Sequence, residues 1–320
     1  MIGSYARFLF SYDDITLLPK YSELPTRADA DTSIELFGKK WILPVVPANM
    51  QDVMSWEIAS KLDRLDQFYI MHRFGNSNSD FIDNWHIDNG FDYLSVSLGV
   101  NDDSKKEYTD FLSRDILPNV VCIDVAHGHH KKVQEMVKWL KQYRIPHIIA
   151  GNVATSDAYK FLCDLGVDAV KVGIGGGSIC TTRYKTGFHV PTAYAIWDCV
   201  NNSDEYDTPI IADGGIRHFG DIAKAIALGA DMVMTGRLFA ECIDSPAKII
   251  HGQKVYRGST SYEAKGKNNH IEGQTLTIES STTYMNRLFE IKQALQSSIS
   301  YAGGTKLSDL KHVKWKLLRP

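Results

Sequence analysis

The sequence predicts an α/β fold: a single-domain (β/α)8 TIM barrel with a long active-site loop and a C-terminal flap. Three observations carry that expectation. Eight short, almost continuously apolar runs recur along the chain, amphipathic helical patterns lie between them, and one strand–helix unit occurs twice. Apolar runs without polar alternation are what a parallel sheet covered on both faces requires. Eight of them alternating with helices at an even pitch suit closure into a barrel. A doubly wound open sheet is the alternative.

The runs are 43–50, 68–74, 93–100, 120–126, 147–153, 169–175, 209–213 and 232–238. Met54, Ile58, Leu62 and Leu65 follow the first at helical spacing. Val133, Met136, Val137 and Leu140 follow the fourth, with Lys and Gln on the opposite face, and Ala158, Phe161, Leu162 and Leu165 follow the fifth. The repeat joins the sixth and eighth units: Leu165–Gly173 and Leu228–Gly236 both read LGxDxVxxG. Upstream, Ile148-Ile149-Ala150-Gly151-Asn152 parallels Ile210-Ile211-Ala212-Asp213-Gly214. Two stretches break the pitch, an active-site loop at about 175–190 and a polar flap at about 240–283. Both are expected as long loops leaving the carboxyl ends of strands, the active-site face of a barrel.

Composition narrows the class. The 320 residues allow two domains or one barrel, and the eight units use most of them as one. A chain this long buries about three quarters of its unfolded surface and needs no disulfide or metal staple. Its net charge of −3 argues against a nucleic-acid surface. No apolar run of membrane-spanning length occurs, and the first residues lack a signal-peptide core, so no membrane partner is expected. Five scattered cysteines without a CxxC fit a reducing, cytoplasmic setting.

Three loops on one face suggest phosphate binding. Gly173-Ile174-Gly175-Gly176-Gly177-Ser178 can converge backbone N–H groups on an anion, or serve as a hinge. Asp213-Gly214-Gly215 and Thr235-Gly236-Arg237 follow the seventh and eighth runs, where barrels commonly hold a phosphate. Asp213 suits a ribose diol; the bland reading is a tight turn with a capping Asp. Cys180 lies directly after the glycines in a polar loop, with Arg183 and Lys185 near enough in sequence to stabilise a thiolate. Cys122, Cys163, Cys199 and Cys242 sit in apolar contexts and read as core. His127-Gly128-His129-His130 lacks a further ligand at metal spacing and reads as polar lining of the site mouth.

Gly175-Gly176-Gly177-Ser178-Ile179-Cys180-Thr181-Thr182, Asp213-Gly214-Gly215-Ile216 and Tyr256-Arg257-Gly258-Ser259 together resemble the IMP dehydrogenase/GMP reductase superfamily. The likeness runs from Tyr12-Asp13-Asp14 to Ala302-Gly303-Gly304. Leu43–Gln51 and Met71-His72-Arg73-Phe74 resemble its reductase branch in the bacterial form, which implies no inserted regulatory domain of the kind usual in the dehydrogenases. The resemblance implies NADPH-dependent reductive deamination of GMP to IMP with release of ammonia, through a covalent purine thioimidate on Cys180, in purine salvage. It implies Thr182 and Glu272 as the proton-donating pair, and Asp124 and Ala126 at the nicotinamide end. Ser178, Asp213, Gly214, Gly215, Gly236, Arg237, Gly258, Ser259 and Thr260 would hold the nucleotide. Backbone carbonyls of Gly175, Gly177 and Cys180 map to a monovalent-cation site for K+, and the assembly implied is a homotetramer. Arg237 stands where the family has a small residue; a guanidinium there can bind phosphate or crowd it. A minimal IMP dehydrogenase and a non-catalytic nucleotide-binding barrel are the competing readings.

Overall fold

The computed structural model describes residues 8–75, 78, 80–81, 91–143, 145–258, 261 and 272–318. The strand β1 (Ile15–Leu17) and a hairpin of β2 (Ile34–Leu36) and β3 (Lys39–Trp41) precede the main sheet. That sheet contains β4 (Val45–Pro47), β5 (Ser95–Leu98), β6 (Val120–Asp124), β7 (His147–Val153), β8 (Ala169–Val172), β9 (Ile210–Asp213) and β10 (Met232–Thr235). Among the described residues its order is β4-β10-β9-β8-β7-β6-β5, all pairs parallel. Because β10 returns to β4, the sheet curls on itself as an α/β barrel.

The run 68–74 departs from expectation, joining the sheet through one parallel bridge, Met71 to Val96. Toward β4, the side chain of Gln67 takes the place of a ladder, its Nε2 donating to Val45 O at 2.6 Å. Beyond Met71 the chain turns away: His72 Nδ1 accepts from Phe74 N at 3.2 Å, and Arg73 Nε donates to Asp124 O at 3.2 Å.

Helices α1 (Trp56–Asp63), α2 (Asp102–Ser113), α3 (Lys131–Leu140) and α4 (Ser156–Asp164) follow successive units. Ser55, Asn101 and Thr155 cap the first, second and fourth by accepting from backbone N–H groups of the first turn. α3 buries the four residues its spacing predicts. In α4 the buried face instead holds Tyr159 and Cys163 beside Ala158 and Leu162, and Phe161 lies half-buried against His129. A short α5 (Thr182–Thr186) interrupts the loop at 175–190, followed by α6 (Thr192–Asn201) and α7 (Phe219–Ala227). The run 232–238 ends as a strand at Thr235, and Arg237 opens α8 (Arg237–Ala240).

Strand alternation divides the core. Val45, Val121, Ile123 and Val170 face the helices, whereas Val46, Cys122, Ala169 and Ile211 fill the barrel. Lys171 therefore shares the interior face with Ala169. The β2–β3 hairpin plugs the amino-terminal end: Trp41 packs on Phe68 and Tyr93, and Tyr93 Oη donates to Phe37 O at 2.7 Å. At the carboxyl end a cavity opens among the strand ends and the loops that follow them.

The flap at 240–283 is not simply a long loop. Its described residues form an antiparallel sheet of β11 (Ile249–Ile250), β12 (Gln253–Arg257) and β13 (Thr275–Ile278). Alternate positions Lys254 and Tyr256 are buried, and Lys254 Nζ donates to Ser245 O and Oγ at 2.8 and 2.7 Å. A lysine at a buried strand position makes the segment read as polar, which hides the strand. The chain ends with α9 (Tyr284–Tyr301) and β14 (Trp315–Leu317), antiparallel to β1.

Candidate active site

The glycine-rich loop after β8 meets the flap edge backbone to backbone. Cys180 and Gly273 form an antiparallel bridge, Thr181 N donates to Glu272 O at 2.7 Å, and Gln274 N donates to Ile179 O at 3.0 Å. This pairing brings together three side chains that are distant in sequence. Cys180 Sγ lies 3.1 Å from Thr182 Oγ1, which donates to Glu272 Oε2 at 2.7 Å. A thiol, a hydroxyl and a carboxylate in line can move a proton to or from a group held above the sulfur.

Of the five cysteines, Cys180 alone is not buried. Burial pushes the Cys122 and Cys242 thiols up to about 12 and raises Cys163 and Cys199 as well, so these four stay protonated core. The Arg183 guanidinium stacks on the Tyr184 ring at 4.4 Å, donates to the Tyr184 hydroxyl, and lines a cavity together with Cys180. Lys185 is exposed.

Cys180 stands between two cavities at the carboxyl end of the barrel. One, about 240 Å³, is lined by Asp124, Ala126, Asp213, Gly236 and Gly258 with Cys180, Thr182 and Glu272. The other, about 530 Å³, is lined by Ser178, Gly215 and Arg237 and shares Gly175, Gly177 and Cys180 with the first. Gly214 has φ +93°, and a Cβ there would lie 3.1 Å from the Gly176 backbone, so the two glycine loops pack directly on each other. A Cβ on Gly236 would lie 2.1 Å from Tyr256 Oη, which the flap carries over the end of β10. Arg237 is exposed and its Nε pairs with Glu241 Oε1 at 2.9 Å, which steadies the guanidinium at the cavity rim. Ser259 and Thr260 lie outside the described residues. The carbonyl of Gly177 accepts from Cys180 N at 3.0 Å.

The residue that sequence reasoning missed most plainly is Lys171. It is buried, with Nζ 2.7 Å from Asp124 Oδ1 and 3.1 Å from Asp213 Oδ2. Asn152 Nδ2 donates to the same Asp213 oxygen at 2.8 Å, and Asp213 lines the cavity. Burial opposes the Lys171 charge, but attraction to Asp124 and Asp213 outweighs it and raises its pKa. Burial likewise opposes ionisation of Asp124; Lys171, with Arg73 and Asn49, more than compensates and holds that carboxyl low. Asp52, in the loop after β4, was also missed; Tyr256 and Arg257, quoted above only for the family likeness, stand on β12 of the flap. His130 caps α3, accepting from Lys132 N at 3.0 Å, and no metal-binding group of three or more His, Cys, Asp or Glu occurs among the described residues.

Fold and site define a class: α/β barrels with a loop cysteine, backed by a hydroxyl and a carboxylate, beside glycine loops at the carboxyl end of the sheet. The chain belongs to the IMP dehydrogenase / GMP reductase family, whose domain model matches residues 9–319. It is 42% identical over 318 residues to a GMP reductase of Acidovorax ebreus (strain TPSY), covering 97% of this chain and 96% of that protein. A GMP reductase of Streptococcus agalactiae serotype Ia is 43% identical over 323 residues (97% and 95% covered), and one of Bacillus subtilis (strain 168) 41% over 321 (97% and 96%). No helix among the described residues is long and apolar enough to cross a membrane.

Proposed function

We propose that the chain is an NADPH-dependent GMP reductase. The observation that carries this reading is the Cys180–Thr182–Glu272 relay, at 3.1 and 2.7 Å, beside glycine loops suited to a nucleotide. Relatives named GMP reductase over nearly the whole chain support it. Asp213, on the cavity wall, would accept from the ribose hydroxyls. Ser178, Gly214, Gly215, Gly236, Arg237 and Gly258 would hold the phosphate and base, with Ser259 and Thr260 carried over from the family pattern.

Cys180 as thiolate would add to C2 of the purine, forming a C–S bond. Thr182, relaying a proton from Glu272, would protonate the amino group, so that the C–N bond breaks and ammonia leaves a thioimidate. NADPH would supply the hydride that replaces the sulfur at C2, returning the thiolate and giving IMP. Asp124 and Ala126 would face the nicotinamide; the Arg73 guanidinium lying 4.9 Å over the Phe74 ring offers a flat, positive wall at that end of the cavity. The carbonyls of Gly175, Gly177 and Cys180 are neutral hard oxygens of the kind K+ takes, and a carbonyl already accepting one bond, as Gly177 does, keeps a second lone pair. The same reading carries one catalytic domain, a cytoplasmic setting consistent with five free cysteines, a role in purine salvage, and a homotetramer.

Mixing GMP with NADPH, loss of NADPH absorbance should match ammonia released. NADH formation from IMP without GMP turnover would identify a dehydrogenase, and binding without either reaction a non-catalytic barrel. Replacing K+ by a large organic cation should lower the rate; sedimentation should give a tetramer.

A further inference from the structure

Asp52, in the loop after β4, is a buried carboxylate with 1% side-chain exposure, and Arg257 ends β12 with 17%. The two meet through the whole acceptor set. Arg257 N donates to Asp52 Oδ2 at 2.7 Å, Nε lies 3.1 and 2.9 Å from the two carboxylate oxygens, and a terminal guanidinium nitrogen donates to Oδ1. A bidentate pair of this kind fixes direction as well as distance.

From that pair the backbone leads straight to the relay. Gly258, one residue on, donates its N–H to Gln274 O at 3.0 Å, and a Cβ on it would lie 2.9 Å from Gly273 Cα. Gly273 is the residue bridged to Cys180, and Glu272 precedes it. Two glycines in contact leave no side chain between Arg257 and the flap edge to absorb a shift.

We propose that Asp52 and Arg257 are positioning residues that fix the flap edge so that Glu272 keeps its hydrogen bond to Thr182. The proposal rests on Glu272 acting as the carboxylate of the relay. It separates from a plain stabilising role because its effect must pass through Glu272.

The test measures kcat and KM for GMP, with NADPH, in Arg257→Met, Arg257→Lys and the neutral pair Asp52→Asn/Arg257→Met, each alone and with Glu272→Gln. Arg257→Met should lower kcat about tenfold or more with KM changed less, Arg257→Lys should recover part of the loss, and neither should slow the Glu272→Gln enzyme further. Multiplying losses, or a loss in KM alone, would overturn the proposal. So would failure of the neutral pair to fold, since the contact would then support the barrel rather than the flap. If Glu272→Gln by itself leaves kcat unchanged, the relay reading fails first and this proposal with it.

Discussion

Cys180 differs from its four buried counterparts in access and in the hydroxyl it meets, and the glycine run just before it made that legible locally. Cys180→Ala is expected to abolish turnover while GMP affinity, measured by calorimetry, stays within about tenfold, or about 1.4 kcal/mol. Glu272→Gln should slow ammonia release more than hydride transfer to a formed intermediate in single-turnover traces; equal slowing would remove the relay. Lys171 shows the opposite case. A single lysine in Ala-Val-Lys-Val says little, because its partners stand 47 and 42 residues away along the chain. In Lys171→Met, burial would act on Asp124 without its main counter-charge, so the Asp124 pKa should rise. If the reaction needs that carboxylate ionised, the acid limb of the kcat/KM profile moves to higher pH; an unmoved limb would free Asp124 from any role.

At the scale of elements, the repeat is a hydrogen-bond device used twice. Gly166 and Gly229 turn at positive φ, and Asp168 and Asp231 then accept from Ile148 N and Ile210 N, each at 2.8 Å, starting β8 and β10 in register with the preceding strands. Such local grammar can be read from residues. The replacement of a β4 ladder by Gln67 cannot, since an amide side chain gives no strand signal. Gln67→Ala should cost about 1–3 kcal/mol by urea unfolding, because Val45 O loses a buried donor. Wild-type stability would show that the barrel closes without it. The flap strands escaped for a related reason: β12 buries Lys254, satisfied by Ser245, where a pattern reader looks for an apolar residue.

At the scale of the molecule, burial of His72 couples stability to pH. Burial lowers its pKa to about 4, against a weaker upward pull from Asp52. Between that value and the ordinary 6.5 the unfolded chain binds the extra proton, so stability falls as pH drops through this window, by about 3 kcal/mol in all. His72→Asn should flatten the slope of unfolding free energy between pH 6.5 and 4; an unchanged slope would assign it to other groups. The Lys171–Asp124 pair acts outside that window. Asp124's contribution is present above its unfolded pKa and fades as pH falls through the lowered folded one, whereas that of Lys171 is present below its unfolded pKa and fades as pH rises through the raised one.

The sequence by itself determined the barrel's alternation of strands and helices, the twin Gly–Asp turns, the loop cysteine and the four core cysteines. All of these follow from periodicity or from neighbours a few residues apart. The pairing of Thr182 with Glu272 came from the family resemblance and took its geometry from the tertiary structure, which alone decided that Lys171 joins Asp124 to Asp213 and that Asp52 grips Arg257. The physical reason is separation: Thr182 and Glu272 lie 90 residues apart, Asp52 and Arg257 205, and a hydrogen bond depends on ångströms in space that no local pattern encodes.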